Sequence, residues 1–229
     1  MNLLHVDSIR KSVGDRTILN DVFLNCKQGE IVGLLGRNGS GKSSLLKIVF
    51  GSSTADNKYV AVDSLKTGSL FSTRNLIHYL PQHSFLPNHI KIKRLVACLC
   101  DKEATKNWMK NEFMLPFLDK KAKQLSGGER RIVEIMMLLG SKAKVVLLDE
   151  PFHGISPIHI ERIKSLIKIY AIDKAIVITD HSYQNVIDIS NRIILIEQGN
   201  TRQIKEMNEL IEFGYLPASI YLDQGTDVT

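Results

Sequence analysis

Three short clusters of residues could do chemistry on a phosphate. The first is Gly36-Arg37-Asn38-Gly39-Ser40-Gly41-Lys42-Ser43, which fits the pattern G-x-x-x-x-G-K-[ST]. Its glycines let the backbone wrap inward, so that several N–H groups point at one anion. A helix starting after Gly41 adds the positive end of its dipole. Lys42 then reaches the outer phosphates, and the Ser43 hydroxyl is a hard oxygen donor for Mg²⁺. Gly36, Asn38, Gly39, Ser40, Gly41, Lys42, Ser43 and Ser44 are the candidate nucleotide contacts.

The second cluster is Asp149-Glu150, at the end of the apolar run Val145–Leu148. In a parallel sheet, ligands bind beyond the carboxyl ends of the strands, so both acids fall beside the phosphates. Asp149 suits the Mg²⁺ shell. Glu150 can hold and polarise an attacking water as general base. The third is Leu125-Ser126-Gly127-Gly128-Glu129, where Ser126 and Glu129 make a capping-box pattern and the glycines a second anion cradle.

These clusters need particular elements behind them. The run from Ile31 to Gly36 reads as a strand buried on both faces, and 42–50 as a helix closed by Gly51. Leu4, Val6 and Ser8, then Ile18 to Cys26, read as strands joined near Val13-Gly14-Asp15. Residues 52–75 are polar and read as a loose β-arm. Leu95–Cys100 and Trp108–Leu118 recur at helical spacing. After them helices at 127–140, 157–170 and 182–189 alternate with strands at 144–149, 174–179 and 192–197, which argues an α/β fold with a mostly parallel sheet. The 229 residues suit one domain, 1–229, with a helical subdomain inserted over roughly 83–140. Gly199 to Thr229 reads as a tail whose polar end frays.

Composition narrows the class. Hydrophobic residues make up 44% and charged residues 24%, as in a soluble globular protein. No apolar run approaches the roughly 20 residues of a bilayer span. The N-terminus lacks a signal-peptide layout, so the chain is expected to stay in the cytoplasm. Cys26, Cys98 and Cys100 suit free thiols in a reducing compartment. Residues 83–125 hold nine Lys/Arg against four Asp/Glu, a local excess of five in a chain of net charge +6.

Together the three clusters resemble the phosphate loop, the Asp-Glu strand and the LSGGE signature of ATP-binding cassette (ABC) ATPases, and the resemblance covers nearly the whole chain. It implies a phosphate-loop NTPase fold with an antiparallel β lobe and an inserted helical lobe. By resemblance, Gln82 in Tyr79-Leu-Pro-Gln82 is the Q-loop glutamine, a Mg²⁺ and water contact that senses a transmembrane partner. His181 in Ile178-Thr-Asp-His181 matches the switch histidine on the γ-phosphate. The resemblance further implies ATP and Mg²⁺ as ligands and a head-to-tail homodimer that sandwiches two ATP molecules. Ser126, Gly127, Gly128 and Glu129 would then serve the partner's ATP. Transmembrane permease subunits would dock at the Q-loop and helical lobe, on the cytoplasmic face of the inner membrane, with no direct contact to nucleic acid.

Two departures accompany the likeness. Where the family stacks adenine on an aromatic residue, this chain offers Val13, with Arg16 nearby. The aspartate that usually follows the Asp-Glu-Pro segment and communicates across the dimer is replaced by Ser156. The stretch from Gln82 to LSGGE is short, which implies a trimmed lobe. The wording of LSGGERRIVEI resembles cassettes of the lipopolysaccharide-export and branched-chain amino-acid groups. Two other readings stay open here: an ABC ATPase acting on nucleic acid or ribosomes, and a regulatory cassette with little turnover.

Overall fold

A computed structural model describes residues 2–67, 69–70 and 75–217. Among them, β1 (Asn2–Val13) and β2 (Arg16–Lys27) form a long antiparallel pair turned at Gly14. Their alternation breaks at Ser8, which takes a positive φ of 53°, and the shift brings Ile9 inward. β4 (Asn57–Val62) adds to β1 and β5 (Leu65–Thr67) to β4, in the order β2-β1-β4-β5. The polar stretch after Gly51 is therefore a built part of a sheet, carried by the buried Val60, Ala61 and Val62. The part of it at 68 and 71–74 lies outside the described residues.

The second sheet runs β10-β9-β3-β8-β7-β6, from β3 (Ile31–Leu35), β6 (Ile77–Leu80), β7 (Val145–Asp149), β8 (Ala175–Thr179), β9 (Arg192–Glu197) and β10 (Asn200–Ile204). All neighbours are parallel except β10 on β9. β3, β7 and β8 are buried along their whole length, as all-apolar strands covered on both faces must be. β6 is short and holds His78 and Tyr79, and β10 is a polar edge strand. Neither carries an apolar run that marks it in the sequence. Asn200–Ile204 thus pairs as a strand where a tail was expected, while 218–229 lie outside the described residues.

Helices cover both faces: α1 (Lys42–Phe50), α5 (Gly127–Leu139), α6 (Pro157–Ala171) and α7 (Tyr183–Ile187). Between β6 and α5 lie α2 (Ile92–Leu99), α3 (Lys102–Trp108) and α4 (Leu115–Leu118). The expected helical stretch Trp108–Leu118 is split, because the Asn111 side chain accepts from the Phe113 N–H at 2.9 Å and sets a turn there. Buried residues of this segment, such as Val96, Trp108 and Met114, share one continuous core with Leu148, Ile163 and Ile176 on a face of the parallel sheet. Cys26 and Cys100 are buried free thiols, and Cys98 is exposed. No helix among the described residues is long and apolar enough to cross a membrane.

Candidate functional site

β3 ends at Leu35, and the chain turns through the glycine loop into α1. Gly41 is the N-cap of that helix at φ 103°, a conformation that L side chains rarely adopt. A Cβ there would stand 2.7 Å from the Leu19 side chain. The loop is closed by Lys42, whose Nζ donates to the Gly36 carbonyl at 2.6 Å and the Arg37 carbonyl at 3.1 Å. Burial lowers the pKa of Lys42, while Asp149 and Glu150 work the other way. The buried Ser40 hydroxyl has no partner within the protein. An inward-facing cradle, one cation and an orphaned hydroxyl together suit an anion.

The carboxyl end of β7 brings the acids to this loop. Ser43 Oγ donates to Asp149 Oδ1 at 3.1 Å, and the Tyr79 hydroxyl donates to Asp149 Oδ2 at 2.8 Å. Desolvation raises the pKa of Asp149, and the bonds from Tyr79 and Ser43 oppose it. Gln82 Nε2 lies 3.3 Å from Ser43 Oγ. The fixed hydroxyl and carboxylate side by side match the hard oxygen donors that Mg²⁺ accepts from proteins, while Gln82 presents its amide nitrogen to them.

Glu150 sits one residue beyond the strand at a φ of 52°. For a residue other than glycine this left-handed backbone costs roughly 1–3 kcal/mol and persists only where its surroundings enforce it. Here they do. Its N–H donates to the Thr179 carbonyl at 2.8 Å, and the Arg131 guanidinium donates to its carbonyl at 2.9 Å. Its Oε1 accepts from Gln82 Nε2 at 2.6 Å and lies 2.9 Å from His181 Nε2. Asp180, just before that histidine, accepts from the N–H groups of Phe152 and Ser182 at 2.9 and 3.0 Å, tying the two loops together.

Lys42, Ser43, Gln82, Glu150 and His181 therefore meet in one cleft of about 950 Å³, near the upper end of ligand-pocket sizes. Gly39, Ser40, Gly41, Ser44 and Asn38 line it too, as do Val13 and Arg16. Ser126, Gly127, Gly128 and Glu129 are not among its lining residues. Ser126 caps α5 instead: its Oγ accepts from the Glu129 N–H at 3.2 Å, and Glu129 accepts from the Ser126 N–H at 2.7 Å. Gly128 packs so closely that an added Cβ would lie 2.5 Å from the Gly154 carbonyl. Gly128→Ala is expected to cost about 1–3 kcal/mol through that overlap, read as a fall in Tm of several degrees.

Residues the motifs do not mark also hold this site. Arg131, only 5% exposed, donates to the carbonyls of Asp149, Glu150 and Pro81, and lies 3.5 Å from Glu134. Glu134 in turn accepts from Ser84 Oγ at 2.5 Å and the Phe85 N–H at 2.9 Å. One buried pair on the signature helix thus grips both the strand end and the segment after Gln82. Arg130 and Arg131 look alike in sequence, and only burial separates them. Tyr79 is legible only once β6 is known to lie beside β7.

Residues 19–153 match the profile of the ABC transporter family. The chain belongs to this family. The ABC assignment is supported by relatives along most of the chain. The lipopolysaccharide export system ATP-binding protein LptB of Escherichia coli (strain K12) is 33% identical over 87% of this chain and 89% of its own. LptB of Acidithiobacillus ferridurans is 30% identical, covering 92% of each chain. Among solved structures, an ATP-binding subunit of an ABC transporter superposes with a TM-score of 0.81 at 19% identity, covering 96% of this chain and 98% of that one. A nucleotide-free ABC transporter cassette gives 0.79 at 21% identity, with 97% and 99% covered. The fold is that of the phosphate-loop NTPase cassettes. This ABC protein is the ATP-binding, ATP-hydrolysing subunit of a transporter.

Proposed function

We propose that the cleft hydrolyses ATP with Mg²⁺, and that two copies of the chain complete each other's sites while transmembrane subunits carry the cargo. The observation that carries this reading is the meeting of Lys42, Ser43, Gln82, Glu150 and His181 around one anion cradle. Lys42 and the loop N–H groups bind the phosphates. Ser43 and Asp149 hold Mg²⁺, with Gln82 beside them, and the ion when bound neutralises charge on the outer phosphates. Glu150 orients a water and takes its proton as the water oxygen bonds to the γ-phosphorus and the bond to ADP breaks. His181 stands by to hold the γ-phosphate and the water in line.

LSGGE stands apart from this cleft, and that supports its use toward a partner's nucleotide. The basic helical segment is the proposed docking side for transmembrane subunits at the cytoplasmic face of the inner membrane. Part of its charge is already met within the chain: Lys93 and Lys91 lie 2.7 and 3.8 Å from Asp119, and Lys120 lies 3.7 Å from Glu129. The likeness to LptB makes a lipopolysaccharide export system the first to test. Affinity-tagged chain expressed in its native host should bring down integral membrane proteins from detergent extracts. Recovery of ribosomes or nucleic acid in their place overturns the transport reading.

Val13 is 60% exposed at the cleft wall, with no aromatic ring on the β1–β2 turn. Base stacking on an aromatic ring is worth about 1–3 kcal/mol in nucleic-acid systems. Val13→Tyr is accordingly expected to raise ATP affinity several-fold in a titration against wild type. An unchanged Kd removes Val13 from the base-binding face.

A further inference from the structure

The cleft has a wall that no motif describes. After the short helix α8 (Glu209–Glu212) the chain turns back through Phe213-Gly214-Tyr215, and both aromatic residues line the nucleotide cleft. The turn is fixed by its own backbone: Gly214 N–H donates to the Ile211 carbonyl at 2.8 Å, and the N–H groups of Tyr215 and Leu216 donate to the Leu210 carbonyl at 2.8 and 3.0 Å. Leu210 and Leu216 are buried in the core behind it, so the turn is anchored on its inner side. Arg202 of β10 stacks over Phe213 at 4.2 Å from the ring centroid, and Tyr183, two residues past His181, meets Tyr215 edge-on at 6.4 Å.

A hydrogen bond ties this turn to the start of the phosphate loop, and Tyr215 lies beside it. Arg37 Nη2 donates to the Gly214 carbonyl at 2.6 Å. Burial raises the pKa of the Tyr215 hydroxyl, and the nearby Gly36 backbone works the other way. Gly36 and Arg37 are also the residues whose carbonyls hold Lys42. A glycine-rich loop must give up backbone freedom to enclose an anion, and groups that fix it beforehand reduce that cost.

We propose that the Phe213–Tyr215 turn is part of the nucleotide site, with Tyr215 and Arg37 as positioning residues that hold the phosphate loop in its binding form. The proposal rests on the nucleotide reading of the cleft. Binding and turn docking are then linked, so ATP must tighten the turn by the same factor by which the turn tightens ATP.

The test uses the full chain, with ATP and Mg²⁺ as the probe. Tyr215→Phe keeps the ring and removes the hydroxyl that faces the Gly36 backbone. It is expected to weaken ATP binding about threefold to tenfold, with kcat and Tm unchanged. Arg37→Met should do the same, and the double variant should be little worse than either single one, because both hold one turn. Hydrogen exchange at the amides of Gly214, Tyr215 and Leu216 should slow on adding ATP in wild type, and not in Lys42→Ala. ATP affinity unchanged in both single variants, additive losses in the double, or exchange indifferent to ATP each overturn the proposal while leaving the nucleotide reading in place. Failure of the wild-type chain to bind ATP overturns both.

Discussion

Glu150→Gln is expected to abolish steady-state ATP hydrolysis while leaving ATP affinity within a few-fold of wild type. The Glu150 carboxylate, held beside Gln82 and His181, can take a proton from water, and general-base catalysis contributes about 10²–10⁴ in rate. Its amide analogue keeps the size and one acceptor oxygen but cannot accept that proton. The surroundings survive, because they hold Glu150 mainly by its backbone, through the Thr179 carbonyl and the Arg131 guanidinium. The measurement is phosphate release under saturating ATP and Mg²⁺, with nucleotide affinity measured separately. Turnover within tenfold of wild type would move the general base elsewhere, and the neighbouring His181 would become the next residue to change.

Arg131→Ala carries the largest expected loss of stability. Removing the guanidinium leaves Glu134 as a buried carboxylate without its cation, and leaves the carbonyls of Pro81, Asp149 and Glu150 each short of a donor. Breaking one side of a buried ion pair typically costs about 3–5 kcal/mol. Denaturant unfolding should show that loss, and ATP hydrolysis should fall with it, since the strained Glu150 backbone loses one of its restraints. Arg131→Lys restores the charge but not the fork that reaches three carbonyls, so it should recover stability only in part. A cost below about 1 kcal/mol for Arg131→Ala would place the residue with ordinary surface substitutions.

The parts legible in the sequence share a physical cause. β3, the phosphate loop and α1 announce themselves because a strand buried on both faces must be apolar throughout, and a backbone cradle must be glycine-rich. The same holds for β7 with its terminal acids and for α5 with its Ser126–Glu129 cap. What was hidden depends on partners distant in the chain. Tyr79 matters because β6 lies against β7, 68 positions further on. Arg131 differs from Arg130 by facing the core. Phe213 and Tyr215 sit in a segment with no periodic signal, and their significance comes from the cleft they line and from the bond between Arg37 and the Gly214 carbonyl. The split of Trp108–Leu118 has a local cause, an Asn111 side chain that competes with the helix for the backbone.

The replacement of the expected aspartate by Ser156 fits this picture. Its hydroxyl lies 3.3 Å from His159 Nδ1 on α6, a neutral contact where the family carries a charge. In the proposed dimer the signature helix, with LSGGE at its start and Arg131 one turn later, would join a partner's nucleotide to this chain's own Glu150.

In the proposed mechanism two copies of this chain close on ATP. Its most direct test is the solution mass of Glu150→Gln by light scattering, with ATP and Mg²⁺ and then with ADP. The expected result is a dimer with ATP that returns to monomer with ADP or when Lys42 is also replaced by alanine. A monomer under saturating ATP, with nucleotide shown to be bound, would contradict it.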